Sequence, residues 1–393
     1  MSIRKNDDNM TTVTFLTGEY PPMQGGIADY TARLAAHLRP LGVEPAVLIS
    51  RKFSAGVQTD IPVYPALSGW GWRSWGEIRR WLAKNPADVL HIQYQAAAFD
   101  LKGWVNWLPW FLRRTAPRPK IVTTFHDLRI PYLFPKAGKL RWQAVLALAK
   151  YSDAVICTNP ADAAILRREP WGTHVREIPL GNNVPVAPPA DFDRSVWRAK
   201  LGVNPESLVL AYFGFLNESK GGEDLIAVLD ALVRQNMDAR LLMIGGDVGD
   251  SDPTNAEYAR RVRDMIAERG LAERIITTGF VPLAEVSAHL LAADVAVMPY
   301  RDGVSFRRTT LLAVLAHGLP VVSTEPQFPL PQISDGENML LAPAGDVPAL
   351  TDAVLRLAKS SALRVRLSAG AKSLADRFDW GEIARQTVAV YRE

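Results

Sequence analysis

The sequence predicts two successive doubly wound α/β domains, each a parallel sheet with helices on both faces. Three observations predict it. The chain has 393 residues, more than the about 250 to 300 over which one hydrophobic core grows. Short β-rich apolar runs alternate with longer amphipathic segments along nearly the whole chain, the pattern of strand–helix–strand units. The alternation pauses once, at Pro185, Pro188 and Pro189 and the polar residues up to Arg194, as a linker would.

The elements follow in order. Residues 12–16 read as a strand, then a Gly/Pro loop, then a helix over 29–38. Residues 44–49, 89–92, 121–124 and 154–157 are further strands, most of them separated by helical stretches. After the pause, residues 208–213, 240–244, 275–278, 295–299 and 320–323 restart the strand pattern. Residues 256–269 form the clearest helix, with Tyr258, Val262, Met265 and Ile266 at helical spacing. The expected boundaries are 1–184 for the first domain, 185–203 for the linker and 204–375 for the second domain. Such sheets bind ligands beyond the carboxyl ends of their strands, so a cleft between facing edges is expected.

Composition narrows the function classes. With 48% hydrophobic and 22% charged residues the chain is ordinary globular protein. A single cysteine, Cys157, excludes a disulfide framework and a cysteine-rich metal site, and reads as a small buried apolar residue. No two of the six histidines stand four apart with a carboxylate nearby, so no metal is expected. A net charge of +4 gives no reason to expect nucleic acid. No apolar run reaches the roughly 18 to 20 residues of a membrane span, and the polar residues 1–10 lack the core of a secretion signal. A cytoplasmic enzyme is expected.

Four segments carry the chemistry. The first, Glu19-Tyr20-Pro21-Pro22-Met23-Gln24-Gly25-Gly26, lies between a strand and a helix. Paired glycines there either let backbone approach an anion at the helix N-terminus or simply make a turn. The second, Thr124-Phe125-His126-Asp127, ends a strand, and His126 either faces a ligand or is a hydrogen-bonded structural group. The third, Phe213-Gly214-Phe215-Leu216-Asn217-Glu218-Ser219-Lys220-Gly221-Gly222, offers a lysine that can meet a diphosphate or lie on the surface. The fourth runs from Ala293 through Arg301, Asp302, Gly303, Val304, Ser305, Phe306, Arg307, Arg308, Thr309 and Thr310 into a small-residue helix and Gly318-Leu319-Pro320. Two arginines beside helix amides suit a nucleotide diphosphate.

In this order the segments resemble the family 4 retaining glycosyltransferases, which have the GT-B fold: two Rossmann-like domains facing a central cleft. Also matching are Asp88-Val89-Leu90-His91-Ile92-Gln93, Ile178-Pro179-Leu180-Gly181-Asn182, Gly279-Phe280-Val281-Pro282 and Asp335-Gly336-Glu337-Asn338 before Pro343-Ala344-Gly345-Asp346. Phe378-Asp379-Trp380 and the helix to Tyr391 resemble the family's closing segment, so 376–393 is expected to cross back to the first domain. The resemblance implies transfer of a sugar from a nucleotide-diphosphate sugar to an acceptor hydroxyl, without cofactor or metal. It implies His126, Lys220 and Arg307 as catalytic residues, with His126 beside the transferred sugar and Lys220 on the diphosphate. Gly25 and Gly26 would contact donor phosphate or acceptor, and Phe280 and Val281 would flank the base. Ser305, Phe306, Arg307, Arg308, Thr309 and Thr310 would cover phosphates and sugar, with the helix capped by Thr309 or Thr310. Two departures stand out. Phe215 occupies the place of the family's usual arginine, and Ser305 with Ala313 or Thr310 replaces its usual pair of glutamates.

Two rivals fit the same residues: an inverting GT-B enzyme or epimerase, and a non-catalytic subunit that binds nucleotide sugars. A Rossmann dehydrogenase is disfavoured, because no Gly-x-Gly-x-x-Gly follows a strand with an acid downstream. Seven of the eleven tryptophans fall between Trp70 and Trp110, among Arg73, Arg79, Arg80, Lys102, Arg113, Arg114, Arg118 and Lys120. That pattern suits peripheral contact with anionic lipid on the inner face of a membrane, core packing, or an acceptor pocket. The acceptor, lipid-linked or polysaccharide, is not legible.

Overall fold

A computed structural model describes residues 10–23, 25–52, 60–129, 138, 140–245 and 253–393. The chain divides into two compact units, Met1–Gly181 with Asp379–Glu393, and Asn182–Phe378.

The first unit carries seven strands: β1 (Thr11–Leu16), β2 (Val43–Ser50), β3 (Val63–Leu67), β4 (Val89–Tyr94), β5 (Lys120–Phe125), β6 (Ala154–Cys157) and β7 (Val175–Glu177). They form one parallel sheet in the order β3-β2-β1-β4-β5-β6-β7. β4 is buried along its whole length, as a central strand covered on both faces must be. On one face pack Leu16, Leu48, Leu90, Ile92, Tyr94, Leu108 and Leu148. On the other, helices Gly26–Leu38 and Trp380–Arg392 bring Tyr30, Leu34, Leu38, Trp380, Ile383 and Tyr391 against Val13, Phe15 and Val122. The terminal helix starts cleanly because the Asp379 carboxylate accepts from the Glu382 amide at 3.0 Å. Cys157 is buried with the core, as expected of an apolar residue.

The second unit has six strands: β8 (Leu208–Phe213), β9 (Ala239–Ile244), β10 (Ile275–Thr277), β11 (Val295–Met298), β12 (Val321–Thr324) and β13 (Leu340–Ala342). All pair in parallel, in the order β10-β9-β8-β11-β12-β13. Each sheet therefore reverses its winding once, between β1 and β4 and between β8 and β11. Ligands collect at the carboxyl ends beside such a reversal.

Residues 185–203, expected to be a linker, are built into the second unit in part. Helix Arg194–Lys200 lies there, capped by Asp193. Its Arg198 is buried, donating to Asp294 at 3.1 Å and to the Ser207 carbonyl at 2.5 Å, while Arg194 reaches Asp294 at 2.6 Å. A buried guanidinium persists only with such partners. Among the described residues no helix is long and apolar enough to cross a membrane.

Candidate active site

In the first unit the loops after β1 and β4 meet. A β-carbon on Gly18 would stand 1.8 Å from the Ala98 carbonyl oxygen, so only glycine allows this approach. Thr17 braces the turn, its hydroxyl donating to the Glu19 carbonyl at 2.8 Å. Helix Gly26–Leu38 begins here with no side chain capping its first turn. The space around Gly26 is open, but a β-carbon on Gly25 would lie 2.3 Å from a Glu19 carboxylate oxygen. Burial raises the Glu19 pKa above the usual carboxylate value. A carboxylate thus already faces this helix end, so Gly25 and Gly26 suit a hydroxyl-bearing ligand better than a phosphate. Gln24 lies outside the described residues.

His126 follows β5, half-buried, with its ring edge-on to Tyr30 at 4.7 Å. Its Nε2 lies 2.9 Å from Gln93 Oε1. Gln93 and His91 are fully buried, and Gln93 Nε2 stands 3.3 Å from His91 Nε2. His91 Nε2 also lies 2.7 Å from the Thr124 hydroxyl, and its Nδ1 lies 2.7 Å from the Tyr391 hydroxyl. Burial pushes the pKa of both imidazoles down to about 3, with His126 lowering His91 further. Both are neutral at physiological pH. Next to them Asp127 accepts from Gln95 Nε2 and from the Arg129 amide, each at 3.0 Å.

In the second unit the loop after β8 turns on Gly214 and Gly221, both at positive φ. A β-carbon on Gly221 would strike the Pro299 carbonyl oxygen at 1.9 Å. Asn217 holds the intervening turn, its side chain accepting from the Lys220 amide at 3.1 Å. Lys220 Nζ donates to the Phe215 carbonyl at 3.0 Å, which also accepts from the Tyr212 hydroxyl at 3.1 Å. Burial first, then the Arg308 charge, lowers the Lys220 pKa to about 8. Lys220 is therefore no solvated surface lysine.

Arg308 lies 4.2 Å over the Tyr300 ring and pairs with Asp302. Helix Thr309–Ala316 has Arg308 itself as its N-cap and no capping side chain. This corrects the expected cap by Thr309 or Thr310, and leaves the first-turn amides without a side-chain acceptor. The point a Gly214 β-carbon would occupy lies 3.3 Å from Lys220 Nζ and 3.7 Å from Thr310 Oγ1. Lys220, Arg308 and Thr310 thus converge at the carboxyl ends of β8 and β11. Of the remaining segment, Arg307 is exposed and the Ser305 hydroxyl accepts from its amide at 3.3 Å, while Thr309 is half-buried. Phe306 turns inward against Phe378 at 4.8 Å.

The segment expected to flank the base adjoins this cluster. Gly279 bridges to Gly245, whose β-carbon would lie 3.7 Å from the Gly214 backbone. Phe280 is 92% exposed, a flat apolar face that no described residue covers, and Val281 is half-buried. Phe215 is also exposed, its ring 6.0 Å from Lys220 Nζ.

Comparison with known proteins decides the family. A model described as glycosyl transferases group 1 matches residues 207–360, and a glycosyl transferase 4-like domain matches residues 25–181. The chain is a family 4 glycosyltransferase. This glycosyltransferase is 28% identical over 384 residues to a phosphatidyl-myo-inositol mannosyltransferase of Mycobacterium leprae, covering 93% of this chain and 92% of that one. Its fold matches sucrose-phosphate synthase of Thermosynechococcus elongatus with a TM-score of 0.73 at 21% identity, covering 97% and 98% of the two chains. It also matches Anabaena Alr3699/HepE, solved with UDP and glucose, with a TM-score of 0.72 at 18% identity, covering 96% and 98%. The glycosyltransferase therefore has the GT-B fold.

Several residues of this site were not singled out from the sequence. Tyr300 and Asp302 stand in the fourth segment but give no sign of holding Arg308. His91 and Gln93 alternate along β4, which places them on one face. Nothing local to Tyr391 marks it as their partner.

Proposed function

We propose that this glycosyltransferase is a retaining hexosyltransferase that uses a nucleoside-diphosphate sugar. The observation that carries the reading is the Lys220–Arg308–Thr310 cluster at the uncapped helix Thr309–Ala316. Preorganised cations and helix amides are what a departing diphosphate requires, because charge grows on it in the transition state. In the retaining step the bond from the anomeric carbon to the diphosphate breaks, and its electron pair leaves with the diphosphate. The acceptor hydroxyl attacks from the same face, and its proton passes to the leaving phosphate oxygen. Lys220 and Arg308 supply the positive charge a metal would otherwise bring, so activity is expected to persist in chelator. Phe280 would stack on the base, and His126 would meet the sugar. The UDP-bound Anabaena structure supports a nucleotide in this fold.

The test is to incubate the protein with a panel of nucleotide sugars and inositol-based or lipid-linked acceptors, and to determine the product's anomeric configuration. Retained configuration is expected. An inverted product removes the retaining mechanism. Absence of turnover with every donor that stabilises the protein thermally favours a non-catalytic subunit.

A lipid-linked acceptor is supported by the mannosyltransferase relatives, whose name specifies phosphatidyl-inositol. It is also supported by the first unit's surface. Trp70, Trp75 and Trp81 pack against the core, which is the core-packing alternative for these three. Trp72, at 62% exposure, stays outside with Trp104, Trp107 and Leu101. Arg79, Arg80 and Arg114 line a cavity of about 650 Å³ floored by Leu82 and Leu112. Exposed indoles and basic groups on the same unit suit an anionic interface. The protein is expected to float with anionic liposomes at low salt and to release as ionic strength rises. Failure to float at any salt removes membrane contact.

A further inference from the structure

We propose that the Gln93 amide, coupled through His91 to Tyr391 near the end of the chain, fixes the tautomer of His126, and so presents the His126 Nδ1 lone pair to a substrate hydroxyl. The catalytic consequence rests on the reading that His126 meets the transferred sugar. The relay itself does not.

The direction follows from donors and acceptors. An amide oxygen only accepts, so Gln93 Oε1, 2.9 Å from His126 Nε2, requires a proton on that nitrogen. In a neutral imidazole the other nitrogen is then an acceptor. Among the described residues nothing bonds His126 Nδ1, and the ring is only half-buried. The Gln93 amide nitrogen only donates, so His91 Nε2, 3.3 Å away, must accept. The Thr124 hydroxyl, 2.7 Å from the same nitrogen, donates to it as well. His91 therefore carries its proton on Nδ1 and donates to the Tyr391 oxygen at 2.7 Å. Reversing His126 requires the Gln93 amide to rotate, which in turn requires His91 to change tautomer. The Tyr391 hydroxyl is the acceptor that the Nδ1–H form of His91 needs, so its loss weakens that whole sequence.

The terminal helix is anchored where the relay begins. Lys120 Nζ donates to the Val390 carbonyl at 2.7 Å and to that of Tyr391 at 3.3 Å. Arg176 grips the Glu393 carboxylate with two bonds, at 3.1 and 2.8 Å. Tyr391, His91, Gln93 and Thr124 are all buried, so water does not substitute for a missing partner. In this account Tyr391, His91 and Gln93 are positioning residues. A sugar hydroxyl donates to His126 Nδ1, and a ring locked neutral adds no positive charge beside an oxocarbenium-like sugar.

The experiment is NMR of the full-length protein labelled with 15N-histidine, in which ring nitrogen shifts report the tautomer. The parent is expected to show His91 as the Nδ1–H form and His126 as the Nε2–H form at pH 7. Tyr391→Phe is expected to shift His126 toward the Nδ1–H form. It should lower kcat about five- to tenfold, the effect of one buried hydrogen bond, with nucleotide Kd unchanged. Val388→Ala thins the packing of the same helix without touching the relay, and should leave both tautomers as in the parent. A parent His126 in the Nδ1–H form, or a His126 spectrum unmoved by Tyr391→Phe, would overturn the relay. Should His126→Ala keep full turnover, the functional reading falls and the spectra still decide the relay.

Discussion

Replacing Lys220 by Ala is expected to lower kcat/KM for the proposed nucleotide sugar by about ten- to a hundredfold, the usual worth of a charge-assisted contact. Arg308→Ala does the same, while Arg307→Ala, at an exposed position, changes it by no more than about threefold. The distinction comes from geometry. Arg308 is held over Tyr300 and by Asp302, and its charge acts on Lys220. Two cations brought close without an anion between them repel, which is part of why the Lys220 pKa falls to about 8. A diphosphate bound there, as proposed, would reverse this and raise the lysine's pKa. Above pH 8 binding must then take up a proton, so donor affinity declines by about tenfold per pH unit there and is flat below. Titration calorimetry of nucleotide binding from pH 6.5 to 9.5 reads the slope, which Lys220→Ala abolishes. The stability of the free protein runs the other way. The folded-state pKa lies below the unfolded one, so the cost is full below about 8 and disappears toward 10.5. If Arg307→Ala is impaired and Arg308→Ala is not, the clamp has been assigned to the wrong arginine.

The central strands were legible because burial on both faces demands continuous apolar runs, as in β8 and β11, which are apolar throughout. What the sequence hid lies at the sheet edges. β3 contains Pro65, which breaks the strand signal but is tolerated where one side of the ladder has no partner. β7 and β13 are three residues each, and Val175-Arg176-Glu177 has no apolar run at all. Such strands form because a neighbour templates them, which is a tertiary effect.

The site shows the same division. Backbone requirements left a trace: Gly18 and Gly221 must be glycine because a carbonyl oxygen occupies the β-carbon position. Lys220 was visible as a lysine in a strand-to-helix loop, and His126 as a histidine at a strand's end. Side-chain partnerships across long separations left none. Tyr391 and His91 stand 300 residues apart, and Arg308 depends on Tyr300 for a contact that only the turn between them creates. The burial of Phe306 was not legible, because a loop motif does not reveal which of its alternate side chains turns inward. Its ring packs on Phe378, an aromatic well outside the motif.

His126→Ala should lower turnover by about a hundredfold or more, while nucleotide affinity stays within about twofold. The separation is expected because the phosphate cluster lies wholly in the second unit, whereas His126 belongs to the first. Loss of nucleotide binding in this variant would point to general damage, and full turnover would show that His126 is structural. Stability against pH supplies an independent check. His126 and His91 are both held to about 3, against an ordinary value of 6.5. Between those limits the unfolded chain binds protons that the folded chain refuses, so stability falls as pH drops through this window. His126→Ala removes one of the two groups. Its unfolding midpoint is therefore expected to fall less than the parent's between pH 7 and pH 5. Equal slopes would mean that His126 is not held neutral in the folded protein, and that a charged imidazole, with no acceptor nitrogen, faces the sugar instead.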